Sequence, residues 1–77
     1  MRKPRMVTIT VEYQSDDGID ERDQLIQAIA GQPESSGCFL GSPCQRDLDF
    51  RVRADQAREI MARIEAEVPG AKVWRQR

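Results

Sequence analysis

The chain has 77 residues, 32% of them charged, and its 12 basic and 13 acidic side chains leave a formal net charge of −1. A chain of that length makes one domain, 1–77, with room for a single apolar layer, which excludes a deep cofactor cleft. Near-neutrality means that electrostatic steering must come from where the charges sit. Met1 to Arg5 is basic, but no apolar stretch of signal-peptide type follows, and no apolar run approaches a bilayer-spanning length. With two cysteines, the expectation is a soluble cytoplasmic protein with reduced thiols and no membrane partner.

From about Arg5 to Tyr13, Val7, Ile9, Val11 and Tyr13 alternate with Met6, Thr8, Thr10 and Glu12, the mark of a strand with one apolar face. A polar turn, Gln14 to Gly18, leads to Asp20 as the N-cap of a helix carrying Leu25, Ile26 and Ile29, closed by Gly31. Gln32 to Gly37 reads as a loop and Gly37 to Leu40 as a short strand. The Gly41-Ser42-Pro43 turn then enters a strand from about Arg46 to Arg53, in which Leu48, Phe50 and Val52 alternate with Asp49, Arg51 and Arg53. Asp55 is expected to cap a second helix, whose Ala57, Ile60, Met61, Ile64 and Val68 follow helical spacing. Pro69 and Gly70 end it, and Ala71 to Arg75 forms a last strand with Val73 inward and Lys72 and Trp74 outward.

The resulting order, β-α-β-β-α-β, resembles the ferredoxin-like split β-α-β arrangement over nearly the whole chain. That resemblance implies an α+β fold: a four-stranded antiparallel sheet in the order 4-1-3-2, with two helices on one face. It implies no activity, because this topology hosts many unrelated functions.

In that order the start of the first strand lies beside the ends of the third and fourth. Arg2, Lys3, Arg5, Arg51, Arg53, Arg75 and Arg77 would then share one end. Glu12, Asp16, Asp17, Asp20, Glu21, Asp23, Glu65 and Glu67 would gather at the other. The basic end suits phosphates or an acidic protein surface; solubilising termini and the solvent half of a strand account for the same residues. Asp20, Glu21 and Asp23 also suit the positive end of a helix dipole. The outward Trp74 is a contact candidate, or a lid over a small core. The two central strands offer Thr and charged residues where RNA-binding domains of this topology place stacking aromatics.

Cys38 and Cys44 flank the turn, and a turn centred on Gly41 would set them face to face; free thiols are the simpler reading. With no His and no further Cys, a structural zinc site lacks ligands. Asp16, Asp17 and Asp20 do not follow the calcium-loop spacing. The commonest general base is absent, and no phosphate-binding loop is present. The sequence therefore points to a non-enzymatic binding or regulatory protein without cofactor or metal. It would act by protein–protein contact as an adaptor or inhibitor, like small accessory proteins of bacteria and phages. Its partner-binding candidates are Arg2, Lys3, Arg5, Arg51, Arg53, Trp74, Arg75 and Arg77. A nucleic-acid-binding module using the basic end and a homodimeric structural domain are the alternatives.

Overall fold

The alternation at the start of the chain becomes β1, Met6–Ser15, in the computed structural model, which describes residues 3–16, 19–39, 41 and 44–76. It is followed by α1 (Glu21–Ala30), β2 (Ser35–Phe39), β3 (Cys44–Arg53), α2 (Ala54–Glu67) and β4 (Lys72–Arg75). The described strands form one antiparallel sheet in the order β2-β3-β1-β4, which is the expected order read from the other edge.

The register fixes two faces. Val7 pairs with Val52, Ile9 with Phe50 and Val11 with Leu48, so the apolar halves of β1 and β3 coincide. Ile26 from α1, Ala57 and Ile64 from α2, and Val68 just beyond it join these residues in one core cluster. Most of its members are completely buried, including Phe50 and Ile9. The other sheet face, here the outer face, carries Thr8, Thr10, Glu12, Asp49 and Arg51 by strand alternation.

The caps differ from expectation at one helix. Asp20 caps α1, its carboxylate accepting the Arg22 backbone N–H at 2.9 Å. Gly31 closes that helix at φ +92°, a conformation that favours glycine. Asp55 does not cap α2. The chain passes from β3 into the helix without a loop, so Arg53 is both last strand residue and N-cap, with no side-chain cap bond. The N–H of Ala54 donates instead to the carbonyl of Arg5 at 2.8 Å. Asp55 binds Arg53 through its carboxylate at 2.8 Å.

Of the apolar residues on α1, Ile26 is buried and Leu25 is 43% exposed, and Asp23 is buried beside Ile26. The turn between β2 and β3 is not centred on Gly41. Cys38 lies opposite Arg46 and Phe39 opposite Gln45, so Cys38 and Cys44 are not direct cross-strand neighbours, and both are free thiols. No helix among the described residues is long and apolar enough to cross a membrane.

Candidate functional site

The ends of β3 and β4 lie on either side of the start of β1. Met6 lies opposite Arg53, Thr8 opposite Arg51, and Ile9 opposite Arg75 on the other flank. The residue before β1 is Arg5, held there by the hydrogen bond from Ala54. These positions line an open concavity of about 650 Å³ formed by Arg5, Met6, Val7, Thr8, Arg51, Arg75 and Gln76. Arg5, Arg51 and Arg75 are exposed and have no ion pair among the described residues. Three arginines bordering one hollow, with the partly exposed Met6 beside them, can receive carboxylates or phosphates through charge-assisted bonds.

The remaining sequence candidates are placed less centrally. Arg53 is adjacent to the concavity but spends its charge on Asp55. Lys3 is exposed ahead of β1. Trp74 lies on the outer face opposite Thr10 and is 42% exposed, yet does not line the concavity. Arg2 and Arg77 lie outside the described residues, as does Asp17.

A polar belt crosses the outer face next to the concavity. Gln76 donates to Thr10 Oγ1 at 2.6 Å, Thr10 donates to Asp49 Oδ1 at 2.7 Å, and Ser35 donates to Asp49 Oδ2 at 2.8 Å. Because Gln76 follows β4 and its backbone N–H bonds Thr8 at 2.8 Å, the belt ties together all four described strands. It holds Gln76, which lines the hollow, in a fixed place.

The opposite end is not a pool of free carboxylates. Asp20 is gripped by Arg22, at 2.8 Å, which holds its carboxyl below the ordinary carboxylate range. Arg22 also lies over the Tyr13 ring, 4.5 Å from its centroid. Asp23 is almost fully buried and forms a two-pronged pair with Arg46: Nε to Oδ1 at 2.9 Å and Nη2 to Oδ2 at 3.1 Å. Tyr13 donates to the same carboxylate at 2.8 Å and Gln27 at 3.1 Å. Burial alone would raise the Asp23 carboxyl, but the bonds from Arg46 and Tyr13 outweigh it and bring it below its usual value. Glu67 pairs with Arg63 at 3.1 Å. The basic side therefore keeps Arg5, Arg51 and Arg75 without ion pairs among the described residues, while on the acidic side Asp20, Asp23 and Glu67 are each paired with an arginine.

The buried pair went unread in the sequence, although a signal existed. Arg46 is in phase with Leu48, Phe50 and Val52, and Asp23 stands one helical turn before Ile26. Both therefore sit on inward positions. No cluster of three metal-ligating side chains forms among the described residues. No family model, curated protein or solved structure matches the chain.

Proposed function

We propose that this chain is a non-enzymatic binding or regulatory protein that engages an acidic segment of another protein through the concavity at the start of β1. The observation carrying this reading is the convergence of Arg5, Arg51 and Arg75, exposed and without ion pairs among the described residues, on one hollow. Most other arginines described are committed: Arg22, Arg46, Arg53 and Arg63 each hold a carboxylate. The exposed Met6 beside the charges suits a peptide mixing carboxylates with aliphatic or aromatic side chains better than a bare polyanion.

Nucleic acid is the competing ligand for three arginines. The carboxylates Glu12 and Asp49 stand on the adjoining outer face, where a strand tracking across the sheet would meet them. The stacking positions of the central strands hold Thr10 and Asp49 rather than aromatics. Both features favour the protein ligand.

Calorimetric titration with an Asp/Glu-rich peptide containing hydrophobic residues, and separately with single-stranded DNA and RNA, tests the choice. Replacing Arg5, Arg51 and Arg75 together by Ala should weaken peptide binding at least about tenfold, while Arg63→Ala leaves it unchanged. Tighter binding to the oligonucleotides, with a log–log salt slope of about −2 to −3, would replace the protein partner with nucleic acid. An unaltered peptide affinity in the triple variant would sink the assignment of the site.

A further inference from the structure

We infer that β2 is the pairing edge of a two-fold dimer, in which the β2 strands of two copies of this chain run antiparallel about Gly37 and fuse their sheets. This goes beyond the basic concavity, which involves no residue of β2.

The two sheet edges are built differently. β4 carries Lys72 and Arg75, charges that discourage a further strand. β2 reads Ser-Ser-Gly-Cys-Phe, with no charge and no proline, in a chain that is 32% charged. All five of its residues are exposed, unlike any other described strand. Cys38 and Ser36 share the core face with Arg46 and Leu48, opposite which they lie, yet remain uncovered. Phe39 is the most exposed large apolar side chain described, at 72%. β2 pairs along one edge only, with its Ser35 hydroxyl and Gly37 carbonyl bonding Asp49 and Arg46 of that same neighbour β3, and its other edge is in the condition in which a sheet accepts a further strand.

A second copy fits this edge better than a foreign strand. Strand addition by a foreign peptide gains its selectivity from pockets that read alternate side chains, and neither the basic hollow nor the concavities beside α2 and between Tyr13 and Gly70 include a β2 residue. Without charge, β2 meets its own copy with no repulsion. Antiparallel pairing about Gly37 sets Phe39 across from Ser35 of the second copy at both ends, the self-complementary match a two-fold axis requires.

Sedimentation equilibrium from micromolar to millimolar protein, in reductant, tests the dimer, with Gly37→Lys as the decisive variant. A Cβ at Gly37 meets nothing within 4 Å, so the substitution is accommodated in the single chain. In the dimer it places two like charges directly opposite each other and should raise the dissociation constant at least about tenfold. Arg51→Ala should leave dimerisation intact. Amide exchange of β2 in the unmodified protein should slow with increasing concentration. A monomer throughout the range would overturn the inference and leave the edge to a foreign strand. So would a dimer unaffected by Gly37→Lys, a dimer lost in Arg51→Ala, or β2 amides that exchange at the same rate at every concentration.

Discussion

Arg46→Met breaks the buried ion pair, together with the bond from Arg46 Nη1 to the Gly37 carbonyl at 3.2 Å. The substitution keeps much of the aliphatic volume but leaves the Asp23 carboxylate, 4% exposed, with only Tyr13 and Gln27 as side-chain donors. Breaking a buried pair from one side costs about 3–5 kcal/mol. A 77-residue domain has about 4–12 kcal/mol in total, so the variant should be close to unfolding. Adding Asp23→Asn removes the uncompensated charge while keeping an acceptor for Tyr13. The double variant should therefore regain about 1–3 kcal/mol relative to Arg46→Met. The pH dependence distinguishes the two proteins by sign. In the unmodified protein the Asp23 carboxyl is held below its ordinary value. Its contribution is complete above the unfolded value of about 3.9 and is lost as pH falls through the lower folded value. In Arg46→Met burial dominates and raises the carboxyl, so acidification favours the folded variant and its deficit shrinks between neutral pH and about pH 4. Urea unfolding followed by far-ultraviolet circular dichroism at both pH values reads this directly. A deficit below about 1 kcal/mol at neutral pH, or one of equal size at both, would refute the reasoning.

Three further outcomes follow from single contacts. Asp20→Ala removes the α1 cap and its grip on Arg22, and should cost about 0.5–2 kcal/mol, with faster amide exchange in the first turn of the helix. Burial, and then the hydrogen bond to Asp23, pushes the Tyr13 hydroxyl up to about 12. The stability it confers is complete below the unfolded value of about 10 and is lost as pH rises through the folded one. Tyr13→Phe should therefore flatten the alkaline limb of a stability–pH profile, and an unchanged limb counts against the bond. Asp49→Ala unties Ser35 and Thr10 from β3 and should cost about 1–3 kcal/mol in thermal or urea unfolding; Asp49→Asn should cost less.

What could be read from the sequence divides along physical lines. β1 and β3 were legible because alternating apolar residues face one buried layer, and their register follows from matching those faces. The apolar spacing of α2 was equally clear, and Ala57, Ile64 and Val68 are buried as it implies. β2 gave little signal because Ser35–Phe39 buries nothing, so no alternation marks where it starts. The α2 start was misplaced at Asp55 because a backbone carbonyl from Arg5, remote in sequence, receives the first helical N–H. Of the candidate site, the gathering of Arg5, Arg51 and Arg75 followed from strand order alone. Which arginines stay unpaired did not, since Arg53–Asp55 and Arg46–Asp23 depend on side-chain reach.

The assignment of a partner-binding role to the hollow beside β1 is tested most directly by mapping backbone amide shifts while an acidic, partly hydrophobic peptide is titrated in. Shifts concentrated at Arg5–Thr8, Arg51 and Arg75–Gln76, with the β2 amides unmoved by the peptide, are the predicted result. Shifts centred elsewhere, or none at saturating peptide, would contradict it.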